Sequence, residues 1–138
     1  IYQDFAHSPS KLKATINAVK EQYPDKEIIA CMELHTFSSL SKNFLNEYGG
    51  SMEKADKAIV FYSNHAIELK KLEKIDKKIV SESFDKQDVI ILNDKDELKN
   101  ILFFMEFQDS VLLLLSSGNF DGINLNELAV DLLNKVKN

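Results

Sequence analysis

Polar residues that could bind or position a substrate gather in three stretches of this sequence, and each stretch follows a β-prone run. The first run is Ile1–Phe5, the second ends at Met32, and the third is Val111–Leu115. The carboxyl ends of parallel strands meet at one edge of a sheet, where ligands bind in open α/β folds. We therefore expect one shared site, with these candidates: Asp4, His7, Ser8, Glu33, His35, Thr36, Ser116, Ser117, Gly118 and Asn119.

The first stretch carries the clearest local signal. Ser8 followed by Pro9 predicts a serine N-cap with proline at the first helical position, opening a helix from Pro9 to Glu21. Asp4 and His7 then lie where the end of a strand meets the amino end of a helix. The free amide donors of such a helix end favour anions.

The three histidines, His7, His35 and His65, each follow a predicted strand. A zinc site would need them to converge, and no Cys/His cluster has the spacing of a metal site. Each histidine taken alone predicts a loop residue with a local hydrogen bond, so we assign no metal ligand. The sequence also contains no Gly-rich phosphate loop ending in lysine and Ser/Thr, and no Gly-x-Gly-x-x-Gly motif.

Composition excludes several functional classes. The formal charge of −5 argues against a nucleic-acid partner, and no stretch reaches the length of a membrane span. All 17 basic residues are lysines, so the bidentate arginine fork for carboxylates is absent. The single cysteine, Cys31, lies in an apolar run, which predicts a buried hydrophobe and a reducing, cytoplasmic location.

Strand-like and helical patterns alternate along the chain, which predicts a single Rossmann-like three-layer α/β domain with a mainly parallel sheet and helices on both faces. The five aliphatic residues Val111–Leu115 suggest the centre of that sheet. The remaining predicted strands are Ile28–Met32, Ala58–Tyr62 and Val89–Leu92. The remaining predicted helices are Ser41–Tyr48, a short helix that begins near Ala66, a second short helix at Ser81–Phe84 after a loop at Asp76, a helix capped by Asp94 or Asp96, and a closing helix around Leu125–Val136.

Three motifs resemble the C-terminal domain of Mur ligases, the ATP-dependent enzymes that build the peptide stem of peptidoglycan. Asp4-Phe5-Ala6-His7-Ser8-Pro9 resembles the Asp-Asp-(Phe/Tyr)-(Ala/Gly)-His-His-Pro stretch that opens this domain. Glu33-Leu34-His35-Thr36 falls where relatives have Gln-Pro-His-Arg or Glu-Pro-Arg-Ser. Ser116–Ile123 is similar to the Ser-Asn-Gly-Gly-Phe-Gly-Gly-Ile of ligases that reattach a recovered tripeptide to muramate.

The resemblance implies a role in an ADP-forming ligase of cell wall synthesis or recycling. An N-terminal domain would hold UDP-N-acetylmuramate, and a central one would hold ATP and Mg. Asp4 would accept hydrogen bonds from the ATP ribose, His7 would lie by the incoming amino acid or peptide, and His35 and Ser116–Asn119 would line its pocket. The muramoyl carboxylate would become an acyl-phosphate, which the amine attacks.

The sequence departs from the family pattern at named positions. Gln3 replaces the first aspartate of the opening motif, Ser8 replaces its second histidine, and Thr36 and Ser39 stand where L-alanine-adding ligases carry arginines. Carboxylate recognition must therefore differ, and the amine, L-alanine or a tripeptide, stays open. The chain opens on Ile1 directly in a strand, so we expect residues 1–138 to be one domain of a longer three-domain enzyme, inactive alone.

Two other readings remain. A stand-alone flavodoxin-like binding or signalling module, such as a phosphate receiver, would need acidic residues clustered after the first strand and an aspartate after the third. Here Asp4 has Gln3 beside it and the third strand ends in Ser63-Asn64. A structural module without a ligand would not require polar loops at one edge of the sheet.

Overall fold

The sheet has five strands, all parallel, in the spatial order β1-β5-β2-β3-β4. The computed structural model describes residues 1–5, 8–107 and 109–137. For residues 136 and 137 it describes the backbone alone. In chain order the elements are β1 Tyr2–Asp4, α1 Pro9–Gln22, β2 Glu27–Leu34, a 3-10 helix Leu45–Tyr48, β3 Lys57–Tyr62, α2 Asn64–Leu69, α3 Lys77–Phe84, β4 Ile90–Leu92, α4 Lys95–Phe104, β5 Ser110–Leu115 and α5 Leu125–Lys137.

Two hydrophobic cores, one on each face of the sheet, make the domain three-layered. One core joins α1, the 3-10 helix, α2 and α3 to the sheet, and the other joins α4 and α5 to it. Alternate residues of a strand feed opposite cores, as Leu113 and Leu114 of β5 do. The predicted α/β class and architecture are confirmed.

The prediction that β5 lies at the centre of the sheet is wrong, because β2 holds that position. β5 pairs with β1 on one side and β2 on the other. An apolar run shows that both faces of a strand are covered, and it does not give the rank of the strand within the sheet. β1 is an edge strand and is exposed along its length.

Helix starts follow the predicted caps. The Ser8 hydroxyl accepts from the Lys11 amide at 3.4 Å, and Asp94 accepts from the Asp96 amide at 2.8 Å. Asp76, predicted to lie in a loop, instead caps α3 by accepting from the Ile79 amide at 2.8 Å. Because of that cap α3 begins at Lys77, earlier than the predicted Ser81.

The helix predicted at Ser41–Tyr48 is absent from the described chain, where turns lead to the short 3-10 helix. Amides at Phe44, Glu47 and Gly49 bond carbonyls three residues earlier, at 3.0–3.2 Å. This is the 3-10 spacing, and one bond in the segment, from the Leu45 amide to the Ser41 carbonyl at 3.2 Å, has the α spacing. Two asparagines in the stretch have low helix propensity, and burial of Leu45 and Tyr48 fixes the tighter turn instead.

Candidate functional site

The structure brings the ends of β1, β5 and β2 together at one edge of the sheet. β5 lies between the other two strands. The residue that follows it, Ser116, is bonded to β1, because the Ser116 amide donates to the Asp4 carbonyl at 3.0 Å. The helix after β5 packs on the opposite face from the helix after β1. The chain therefore leaves β1 toward one face of the sheet and leaves the neighbouring β5 toward the other face. This arrangement opens a crevice at the strand ends of α/β sheets.

A cleft of about 300 Å³ opens at this edge on the α5 face. Its polar groups come mainly from the end of β1 and from Ser116. Its apolar walls come from β5 itself and from the segments that follow β1 and β5. None of the described residues that line it is a lysine or a histidine. The lining residues are Gln3, Asp4, Phe5, Leu114, Ser116, Gly118, Phe120 and Leu125.

A buried carboxylate, that of Glu33, organises the loop after β5. Glu33 is 1% exposed, and its Oε1 accepts from the Ser116 hydroxyl at 2.6 Å and from the Phe120 amide at 2.9 Å. The Ser116 oxygen in turn accepts from the Gly118 amide at 2.7 Å. The polar groups of Glu33 Oε1 and Ser116 are thus satisfied within the protein.

Glu33 lies inside β2, whereas the sequence predicted it in the loop after that strand. A glutamate after an apolar run normally indicates that the strand has ended. This glutamate instead lies on the α5 face of β2, where the Ser116 hydroxyl and the Phe120 amide, both after the neighbouring β5, donate to it. Cys31 lies two residues earlier on the same face. Burial, and then the Glu33 carboxylate, raise the pKa of the Cys31 thiol, so it stays protonated and is a poor nucleophile.

His35 packs its imidazole against Gly118. Its Nδ1 lies 3.9 Å from Glu33 Oε2, beyond hydrogen-bond distance, and its side chain is 35% exposed. A Cβ at Gly118 would lie 2.5 Å from Cγ of the ring. A residue with a Cβ would therefore have to displace the ring, so the close approach favours glycine here.

The loop continues in an uncommon backbone conformation. Phe120, Asp121 and Gly122 have φ values of 52°, 57° and 85°, so three successive residues are left-handed. The two non-glycine residues cost on the order of 1 kcal/mol each. The Phe120 ring offsets this cost, because it is buried and stacks on Phe61 with 6.2 Å between ring centroids.

The other predicted site residues fall at or near the same edge. Thr36 forms a local turn in which its hydroxyl accepts from the Ser39 amide at 3.0 Å. The exposed Asn119 accepts from the Gly122 amide at 3.1 Å. The Ser117 hydroxyl is buried and, within the described chain, has no hydrogen-bond partner. His7 lies outside the described residues.

Sequence reasoning missed five residues of the cleft: Gln3, Phe5, Leu114, Phe120 and Leu125. Alternation was the available signal for part of this set. Leu114 lies on the same face of β5 as Leu112, two residues earlier, whereas Gly118 and Phe120 lie beyond the end of β5 at Leu115, where strand alternation no longer applies. Gln3 also pairs with Leu114 in the register of β1 and β5.

Outside residues 6, 7, 108 and 138, no three His, Cys, Asp or Glu side chains are grouped so that they could hold a metal ion. His65 lies in the first turn of α2 and is exposed. No described helix has the length and apolar character needed to cross a bilayer.

Comparison with known families decides the identity of the fold. A family model described as "Mur ligase, glutamate ligase domain" matches residues 1–118. The chain belongs to the Mur ligase family, as a C-terminal domain of that family. The UDP-N-acetylmuramate–L-alanine ligase of Ligilactobacillus salivarius is 33% identical over 121 residues, and that of Levilactobacillus brevis is 32% identical over 120. Each match covers 86% of this chain and 25% of the relative, so the chain spans about a quarter of their length.

Solved Mur ligase structures share the fold. A domain assigned as a UDP-N-acetylmuramate:L-alanyl-gamma-D-glutamyl-medo-diaminopimelate ligase of Haemophilus ducreyi superposes with a TM-score of 0.62 at 25% identity, covering 94% of this chain and 88% of that one. A murein peptide ligase of Psychrobacter arcticus gives a TM-score of 0.69 at 18% identity, covering 93% of this chain and 26% of that one. The Mur ligase resemblance inferred from three motifs is confirmed.

Proposed function

We propose that this chain is the C-terminal domain of an ATP-dependent, ADP-forming ligase that joins an amino acid or peptide to UDP-N-acetylmuramate, in peptidoglycan synthesis or recycling. The observation that carries the proposal is the cleft between the end of β1 and the loop after β5, at the carboxyl edge of the sheet of a Mur ligase domain. Two relatives named as UDP-N-acetylmuramate–L-alanine ligases, at 33% and 32% identity, support the substrate class.

The chemistry we propose is amide formation through an acyl-phosphate. ATP supplies the phosphoryl group to the muramoyl carboxylate, and the amine then displaces phosphate. The described chain offers no cluster of ligands for Mg, so we place its ligands in another domain of the enzyme. The contribution of this chain is to position the amine and the nucleotide, and positioning supplies a large part of such a rate enhancement.

Asp4 is the residue we assign to the nucleotide. It is exposed at the end of an edge strand and borders the cleft, so its carboxylate can accept hydrogen bonds from the ribose hydroxyls of ATP. Ser116 borders the cleft in which we place the amine, and its hydroxyl donates to the buried Glu33 carboxylate behind it. The residues we place beside the amine are His7, Ser8, His35, Thr36, Ser117, Gly118 and Asn119.

The domain organisation we infer has an N-terminal domain for the UDP-sugar, a central domain for ATP and Mg, and residues 1–138 as the C-terminal domain. Relatives four times the matched length support additional domains. The chain contains no phosphate-binding loop. We therefore propose that this cytoplasmic domain is inactive by itself and completes its site when the enzyme closes.

The test uses the full-length protein that contains this chain. With UDP-N-acetylmuramate, ATP and Mg, release of phosphate should depend on L-alanine or on the tripeptide, and comparing the two amines identifies the substrate. The isolated chain should show no magnesium-dependent ATP turnover. Robust turnover by the isolated chain would contradict the proposed division of labour.

The role of Asp4 has its own variant. Asp4→Ala should raise the KM for ATP roughly tenfold, the loss expected for one hydrogen bond to a charged group. Folding should be intact because the side chain is exposed. Asp25→Ala, an exposed carboxylate in the turn before β2, is the matched control and should leave the KM unchanged. Equal nucleotide dependence in both variants would remove Asp4 from the site.

A further inference from the structure

The Glu33 carboxylate is buried at the edge where the three loops meet, yet it does not line the cleft. Three of the eight described residues that do line the cleft are bonded to its Oε1, directly or through one hydroxyl: Ser116, Phe120 and, through Ser116, Gly118. Those bonds reach 83 and 87 residues along the chain. The carboxylate therefore connects β2 to the wall that β5 contributes.

We propose that Glu33 is a positioning residue: it fixes the loop Ser116–Gly122 in the conformation that forms the cleft, without touching the substrate. This inference rests on the proposed function for its link to catalysis. Its structural part, the fixing of the loop, stands on the geometry alone.

Energetics favour a positioning role over a stabilising one. An ionised carboxylate is costly to bury without a cation, and in the described chain the basic side chain recorded within 4 Å of Glu33 is that of His35, whose Nδ1 lies 3.9 Å from Oε2 and which is partly exposed. What the carboxylate provides is a strong acceptor for the Phe120 amide at the first of three left-handed residues. It also orients the Ser116 hydroxyl toward the Gly118 amide.

The fixed loop in turn positions His35. Gly118 lies against the imidazole so closely that no Cβ fits between them. If the Ser116–Gly118 bond is lost, the glycine is free to move away from the ring, and the ring loses the surface that orients it. Glu33 thus fixes both the loop that forms one wall of the cleft and the orientation of the His35 ring beside that loop.

Three variants separate loop positioning from general stability. Glu33→Leu removes the acceptor at similar volume, Glu33→Gln keeps an acceptor oxygen without the charge, and Ser116→Ala removes only the relay hydroxyl. Ser51→Ala is the matched control, because the Ser51 hydroxyl makes a buried 2.6 Å bond to the Tyr48 carbonyl in a turn that belongs to none of the three loops.

The first measurement is amide hydrogen exchange in this chain. Glu33→Leu should speed exchange of the Gly118 and Phe120 amides roughly tenfold or more, the loss expected for a hydrogen bond to a charged group. Amides inside β2 and β3 should keep their protection. Glu33→Gln should restore most of the protection, and Ser116→Ala should affect Gly118 more than Phe120. Uniform acceleration across the sheet, or none in the loop, would overturn the proposal.

The second measurement is kinetic, in the full-length protein. Glu33→Leu should raise the KM for the amine roughly tenfold with a change of less than about twofold in the KM for ATP, and Glu33→Gln should rescue it. A parallel change in both KM values would indicate a merely structural role and refute the link to catalysis. If the wild-type protein shows no amine-dependent phosphate release, the proposed function fails while the exchange result still decides whether Glu33 fixes the loop.

Discussion

Gly118→Ala tests whether the contact between the loop and His35 is as tight as the structure indicates. An added Cβ would lie 2.5, 2.6 and 2.8 Å from Cγ, Cδ2 and Nδ1 of the imidazole. Carbon atoms in contact are normally about 3.5–4.0 Å apart, so the ring must move by about 1 Å. These atoms belong to the inner part of the ring, so a small rotation of its tip does not relieve the clash.

The expected free-energy change combines two opposing effects. Overpacking costs about 1–3 kcal/mol, and the 35% exposure of His35 puts this case at the lower end, because the ring can move toward solvent. Replacing glycine by alanine restricts the unfolded chain and returns about 0.4–1 kcal/mol. We expect Gly118→Ala to lower the free energy of unfolding by about 0.5 kcal/mol or less.

The assay is a double-mutant cycle by urea unfolding. In a His35→Ala background the clash is gone, so Gly118→Ala should become neutral or stabilising, with a coupling of about 1–2 kcal/mol between the two sites. Gly50→Ala is the control: Gly50 has a φ of +78° and no atom within 4 Å of an added Cβ. Its cost comes from the backbone and should be the same in both backgrounds. An equal cost of Gly118→Ala in both backgrounds would refute the reasoning.

Two further predictions concern titration and reactivity. Burial alone would raise the pKa of Asp56, but bonds from the Ile28 amide at 2.7 Å and Lys20 at 2.9 Å outweigh it and leave the pKa below its ordinary value. The wild-type chain should have a higher free energy of unfolding than Asp56→Asn above about pH 4, and this difference should shrink as pH falls through the lowered pKa. A difference that does not depend on pH in urea unfolding would contradict this. The Cys31 thiol should react with iodoacetamide roughly 10³-fold or more slowly in the folded chain than in urea, and a rapid native reaction would show that it is accessible.

The sequence predicted the strands because their apolar runs are long and bounded by turns. It failed on 41–48, where apolar spacing compatible with a helix is formed by successive three-residue turns. It also failed on Glu33, since one polar residue at the end of an apolar run normally marks the end of a strand. The donors that keep this glutamate inside β2 come from Ser116 and Phe120, and separations of 83 and 87 residues carry no periodic signal.

The position of β5 explains why the candidate site forms where it does. Both of its neighbours bond the loop that follows it: the Asp4 carbonyl of β1 accepts from the Ser116 amide, and Glu33 of β2 accepts from the Ser116 hydroxyl and the Phe120 amide. A loop held from both sides can keep left-handed residues that would otherwise relax. The chain connections that place β5 between β1 and β2 are therefore also what allow the Ser116–Gly122 loop to hold a fixed shape, and a strand at the edge of the sheet would have only one such neighbour.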